Sequence, residues 1–246
     1  MTHPITQLLP TPFAWVEIPG GSVTLSERGG YLDQPRTVAV APFRIAQYPI
    51  TNAQFQVFVD ASDGFGDAEW WDFSDDARAW RYDYGRPKLP EFGGDHPRTH
   101  VNWYAAVAFC RWLSAHSGES IRLPVEAEWQ RAAQGDDGRA YPWGDEWDSD
   151  RCTHNLRHAN IGTASVHEHV GAGDSPFGVS DLCGNVWEWT ATGWDSGAPD
   201  LTADEPRVLR GGSWFDDVMS VFRTTKRSSW TPDLESDLRG FRIVSG

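Results

Sequence analysis

Cysteine, methionine and positive charge are all scarce in this 246-residue chain. Its three cysteines, Cys110, Cys152 and Cys183, stand far apart and form no C-x-x-C pair. An odd count without a close pair argues against a disulfide framework and suits a reducing compartment. Lysine and arginine number 21 against 35 aspartates and glutamates, which leaves a formal net charge of −14. A surface of that sign repels phosphate backbones and anionic membranes, so nucleic acid is not expected as a partner. Solubility is the plainer consequence of the same charge. No apolar run approaches the roughly 20 residues that cross a bilayer, and Met1–Gln7 carries neither a basic nor an apolar signal region. The expectation is a cytoplasmic protein, or one exported by a route the sequence does not advertise, with no membrane partner. A glycine-rich phosphate loop ending in lysine and a G-x-S-x-G nucleophile elbow are also missing.

Tryptophan and turn residues are abundant instead. Aromatics make up 13 % of the chain, with 14 Trp, 24 Gly and 16 Pro. That mixture predicts a turn-rich globular fold whose core is built from large flat side chains. The length suffices to bury such a core without disulfides. No repeat, linker or break in composition divides the chain, so one domain over residues 1–246 is expected.

Residues 13–25 predict two short strands around Pro19-Gly20-Gly21, and residues 37–41 and 43–46 predict two more. Thr51-Asn-Ala-Gln54 has the form of a capping box, opening a helix over 52–61 with Phe55, Phe58 and Val59 at helical spacing. Residues 62–100 read as a long loop with aromatics from Trp70 to Tyr84, expected to pack on the body or border a site. Asn102 caps a helix over about 103–115 that puts Trp103, Ala106, Val107, Cys110 and Leu113 on one face. Cys110 is then a small core hydrophobe. A third helix covers 126–133 and ends at Gly135.

Six blocks occur in a fixed order: Phe43–Phe55, Arg122–Trp129, Tyr141–Asp145, Gly184-Asn-Val-Trp-Glu-Trp189, Arg210-Gly-Gly-Ser-Trp214 and Gly240-Phe-Arg242. Together they resemble the formylglycine-generating enzyme (sulfatase-modifying factor) family over about residues 13–244. The resemblance implies an α+β, C-type-lectin-like fold of short twisted sheets, few short helices and much ordered loop. Val125 departs from the family's usual Thr, so the helix that follows lacks a side-chain cap. Members of this scaffold oxidise a cysteine with copper, make sulfoxides with iron, serve secondary metabolism, or display ligand-binding segments, so the fold alone does not fix the function.

The family's oxidases hold copper(I) with two cysteines just after the Arg-Gly-Gly-Ser-aromatic block. Here Phe215–Arg223 contains no cysteine, and the single thioether of Met219 cannot replace two thiolates. No copper is expected. The sulfoxide synthases bind iron through histidines of an additional N-terminal domain that this sequence does not contain. His154-x3-His158 and His167-x-His169 could share a metal at their spacings; the alternative is four exposed or hydrogen-bonded histidines. Asp216-Asp217 and Glu235/Asp237 read as a solvated face rather than an acid–base pair.

The resemblance also implies a structural calcium site on Asp181, Gly184, Val186 and Glu188, from two carboxylates and two carbonyls. Asp181 and Glu188 capping turns or pairing with an arginine is the competing reading. Finally, Arg223, Arg227, Pro232 and Asp233 match the family pattern and are expected in the scaffold. Between and beside them lie Phe215, Asp216, Asp217, Val218, Ser220, Val221, Ser229, Trp230, Leu234, Glu235, Ser236 and Leu238. That mixture of aromatic, aliphatic, acidic and hydroxyl groups suits a recognition surface for a protein or other macromolecular ligand. It looks like the variable proteins of diversity-generating retroelements. The alternatives are an oxidoreductase-family relative with non-copper chemistry, iron included, and a structural or regulatory module without a small ligand.

Overall fold

In the computed structural model residues 2–85, 87–156 and 161–246 are described. One helical turn, α1 (Ile5–Leu8), opens the chain. Two strands follow on either side of Pro19-Gly20, β1 (Trp15–Ile18) and β2 (Gly21–Leu25). In β2, Val23 and Leu25 are buried while Ser22 and Thr24 are exposed, the period-two pattern of a half-buried strand. The two do not pair as a hairpin. β3 (Arg36–Val40) returns antiparallel beside β2, and β4 (Phe43–Ala46) returns antiparallel beside β1.

Helix α2 (Asn52–Asp60) starts on a complete capping box: the Thr51 hydroxyl accepts from Gln54 N–H at 3.3 Å, and Gln54 Oε1 accepts from Thr51 N–H at 3.0 Å. The stretch expected to be loop is not loop throughout. It contains a 3-10 turn over Ala68–Trp71 and a helix, α3 (Asp75–Tyr84). Ser74 caps α3 by accepting from Ala77 N–H, and Asp75 and Asp76 sit at the positive end of its dipole. Ala77 and Trp80 bury its inner face. Helix α4 (Trp103–Ser117) is capped by the Asn102 side chain and ends on Gly118, whose φ of 74° is the left-handed turn that glycine adopts without strain.

Strand β5 (Ile121–Arg122) leads into α5 (Glu126–Gln134). Val125 offers no side-chain acceptor at the N-cap, but Glu128 still completes half of a box by accepting from Val125 N–H at 2.9 Å. Then come β6 (Trp187–Gly193), β7 (Arg207–Arg210), β8 (Ser228–Trp230), β9 (Arg239–Phe241) and β10 (Val244–Ser245). One sheet has the order β1-β4-β10-β5 and another the order β8-β7-β6-β9, with β6 and β9 parallel. The C-terminal strand thus closes the N-terminal sheet.

Between these layers sits an aromatic core. Phe55 of α2 stacks on Phe109 of α4 with centroids 5.5 Å apart, and Phe109 meets Phe241 of β9 edge-on at 5.5 Å. Cys110 is buried in the same core, as its helical position predicts. The arrangement is α+β, with short sheets, few helices and long ordered turns. Among the described residues no helix is long and apolar enough to cross a membrane.

Candidate functional site

Two buried carboxylates hold the frame of the C-terminal half. Glu188, on β6 and 0 % exposed, accepts from Trp129 Nε1 at 2.8 Å and from Arg242 Nε and Nη2 at 2.6 and 2.7 Å. Arg242 spends its other N–H groups on the carbonyls of Ala46, Gln47, Ser180 and Asp181. Glu126, at the start of α5, accepts from Arg210 at 2.7 Å, from Arg227 at 2.5 and 3.0 Å, and from the Tyr31 hydroxyl at 2.9 Å. Burial, and then the Glu126 charge, push the Tyr31 pKa up. Burial also pushes the Arg210 pKa down from its ordinary value, opposed by Glu126. Planar, many-donor guanidinium groups suit this role because irregular backbone leaves carbonyls that no sheet partner satisfies.

These braces pin both ends of the segment between β7 and β9. Arg210 donates to the carbonyl of Thr224, and Arg227 donates to Gly29 O at 2.7 Å. Asp216 locks the turn after the Arg-Gly-Gly-Ser-Trp block. Its Oδ2 accepts from Ser213 N–H, Ser213 Oγ and Trp187 Nε1 at 2.8, 2.7 and 3.0 Å. Gly212 has φ +80°, and a Cβ there would lie 2.7 Å from the Phe222 ring. Phe222 is buried and stacked on Trp147.

Phe222 apart, five large apolar side chains of that segment point outward. Phe215, Val218, Met219, Trp230 and Leu234 are 57, 53, 50, 43 and 47 % exposed. Trp230 lies under the Arg239 guanidinium, 4.0 Å from its ring centroid, which fixes the indole without hiding it. Of the twelve residues proposed for recognition, Phe215, Asp217, Val218, Ser220, Trp230 and Leu234 are exposed. Asp216, Val221, Ser229, Glu235, Ser236 and Leu238 are half-buried, and Asp216 is a brace rather than a contact. Four further residues of the segment face solvent: Met219, considered above only as a sulfur ligand, Arg223 and Asp233, expected in the scaffold, and Thr231. Arg227 and Pro232 are buried as expected.

The calcium set falls on one turn. Asp181 and Asn185 have φ of 55° and 63°, the left-handed conformation that short polar residues tolerate. Asn185 Nδ2 donates to Asp181 Oδ2 at 3.0 Å. Burial pushes the Asp181 carboxyl up to about 7, against the lowering effect of that hydrogen bond. The Gly184 carbonyl accepts from Val186 N–H at 2.8 Å. Glu188 has both oxygens committed to Arg242 and Trp129, so the donor set does not fit a calcium ion without displacing the guanidinium.

The histidines split. His154 and His169 line one cavity of about 480 Å³ with Cys152, Thr153, Asp150 and Glu168. His154 Nδ1 accepts from Leu156 N–H at 2.9 Å, and Nε2 is 3.0 Å from Ser149 O. His169 Nε2 is 3.1 Å from the Thr153 hydroxyl, and Nδ1 is 3.2 Å from Asp150 O. Burial lowers the His169 pKa. His167 lies edge-on to Tyr48 instead, and His158 falls outside the described residues. Cys152 and Cys183 meet in one small buried cluster, where burial and the neighbouring Cys152 thiol push the Cys183 pKa up. Among the described residues no group of three His, Cys, Asp or Glu is placed to hold a metal ion. The copper-binding cysteine pair of the oxidases is absent from the segment where they carry it.

The sulfatase-modifying factor enzyme 1-like domain matches residues 6–246 of the chain. The "inactive C-alpha-formylglycine-generating enzyme 2" of Bos taurus is 34 % identical over 94 % of this chain and 87 % of its own length. The formylglycine-generating enzyme of Streptomyces coelicolor is 32 % identical over 94 % of this chain and 88 % of its own. Among solved structures, Treponema denticola variable protein 1 superposes with a TM-score of 0.71 at 21 % identity, over 95 % of each chain. At that identity the likeness concerns the fold. The chain belongs to the sulfatase-modifying factor family.

Proposed function

We propose that this chain is a formylglycine-generating-enzyme relative without the family's copper chemistry, and that its 215–239 surface binds a protein or other macromolecular ligand. The observation that carries this reading is the exposure of Phe215, Val218, Met219, Trp230 and Leu234 on a segment flanked by buried Arg210 and Arg242 and braced in its middle by buried Arg227. Rigid apolar anchors with polar neighbours bind at low entropic cost. The fold is read as C-type-lectin-like and as one domain. The free, buried thiols suit the cytoplasm.

Sequence similarity favours a second reading, in which the chain keeps oxidoreductase-family chemistry with a metal other than copper. The Streptomyces relative is named for catalysis and aligns over 94 % of the chain. The cavity at His154 and His169 is where such chemistry would sit. Metal analysis of the purified protein separates the two: stoichiometric iron establishes the second reading, and stoichiometric copper overturns both. For the display form of the first reading, the gene should neighbour a reverse transcriptase and a near-identical template repeat whose mismatches fall at adenines. Absence of both would sink that form.

A further inference from the structure

A different cavity, of about 360 Å³, opens where α3 and α4 meet the approach to β7 and the Thr231–Asp233 turn. Trp80 and Tyr84 from α3 and Tyr104 from α4 supply aromatic walls, and Asp76, Asp83, Asp204 and Asp233 supply carboxylates. All four aspartates are exposed, and none forms an ion pair among the described residues. Their neighbours differ. Asp72 and Asp75, nearby on the chain, are both taken by Arg78. Glu205, which also touches the cavity, is committed to the Asp195 and Ser196 N–H groups.

Among the described residues no cation pairs with these four carboxylates. Arg207 turns its guanidinium to the carbonyls of Asp200 and Ala203 and to the Trp103 ring, and Lys88 pairs with Glu235. Tyr104 is only 5 % exposed, yet its hydroxyl has no hydrogen-bond partner among the described residues. After burial, the charges of Asp76, Asp233 and Asp204 raise its pKa most, which places the phenol among these carboxylates. It stays protonated, with its oxygen able to accept.

We propose that this cavity binds an alkylammonium group, the end of a lysine side chain or of a free polyamine. Aromatic faces and carboxylates attract an organic cation together, and the unpaired Tyr104 oxygen can accept one of its N–H bonds. A bare metal ion fits less well, because no three of these carboxylates are grouped to hold one. The site goes beyond the proposed recognition face, since only Thr231, Pro232 and Asp233 belong to that segment.

Calorimetric titration of the full chain with spermidine, and separately with an N-acetylated Gly-Lys-Gly amide, tests this. At least one should bind with one-to-one stoichiometry. The Asp76→Asn/Asp233→Asn variant should weaken it roughly tenfold and Tyr84→Ala about threefold. Glu17→Gln removes an exposed carboxylate on β1, far from the cavity in the fold, and should change nothing. Binding of spermidine alone identifies a free polyamine; binding of the peptide identifies a polypeptide. Failure of both ligands to bind, or equal weakening by Glu17→Gln and the cavity variants, overturns the proposal. Phe215→Ala should leave this binding intact, so failure of the 215–239 reading remains separate from failure of this one.

Discussion

The frame and the segment it holds are neighbours in sequence and opposites in physics. Glu188, Arg210 and Arg242 are 0 % exposed, whereas Phe215 and Leu234 between them are 57 and 47 % exposed. Charge is inside and apolar surface is outside, the reverse of the usual order. Each half has its own reason. Irregular backbone around β6, β7 and β9 leaves carbonyls that only multi-donor cations can satisfy in the interior, and those cations need buried carboxylates as counter-charges. Within the segment Arg227 and Asp216 share that task, whereas Phe215, Val218 and Leu234 take no part in it.

Removing a counter-charge tests the frame most severely. Glu188→Gln leaves Arg242 buried with its positive charge uncompensated, and should cost about 3–5 kcal/mol in urea unfolding. A loss under 1 kcal/mol would show that the arginine relaxes to solvent and that the frame is not rigid.

Asp181 offers a gentler break, read through pH. Its folded pKa of about 7 lies above the ordinary 3.8, so the native state binds the extra proton between those values. Stability is therefore present in full below about pH 4 and declines as pH rises through about 7, by up to about 4 kcal/mol. Asn keeps the left-handed backbone and the acceptor for Asn185, so Asp181→Asn should flatten this slope and stabilise the protein at pH 8. Urea midpoints at pH 5 and 8 decide it. Calcium should leave the wild-type midpoint unchanged, since Glu188 is held by Arg242; a calcium-dependent rise that Asp181→Asn abolishes would put an ion in that turn.

On the segment the expectation inverts. Phe215→Ala should change stability by no more than about 0.5 kcal/mol. Binding to a ligand selected against this surface should fall by about 2 kcal/mol or more, the loss typical of an aromatic anchor. A large stability loss with unchanged binding would make Phe215 part of the frame.

Short-range chemistry was legible in the sequence; long-range pairing was not. Thr51 with Gln54, and Asn102, announce their helices because a cap acts over three residues. Ser74 caps α3 in the same way, but its signal was lost in an Asp- and Gly-rich stretch that reads as loop. Nothing local tells Arg223 from Arg227. The difference is Glu126, about a hundred residues away in sequence, which buries one and leaves the other exposed. Likewise the Glu188 carboxylate suited either calcium or an arginine until the parallel pairing of β6 with β9 brought Arg242 beside it. The acidic cavity at Tyr104 needed four separate stretches to meet, so no window of sequence contained it.

The smallest effect expected lies at the start of α5, where frame and capping chemistry meet. Glu128 accepts from Val125 N–H and also takes Arg122 with both oxygens at 2.7 Å, so half of a capping box is already assembled. Val125 is in extended conformation, with φ −75° and ψ 159°, close to that of the Thr51 cap at −86° and 165°. Val125→Thr is nearly isosteric and places a hydroxyl where the Glu128 N–H can donate to it. The gain should be about 0.5–1 kcal/mol, the ordinary value of an N-cap. Thr51→Val in α2 is the reciprocal change and should lose a similar amount. Thermal midpoints of the two variants moving in opposite directions would show that α5 is limited by its missing cap. No gain from Val125→Thr would mean that the Arg122–Glu128 pair already fixes the first turn.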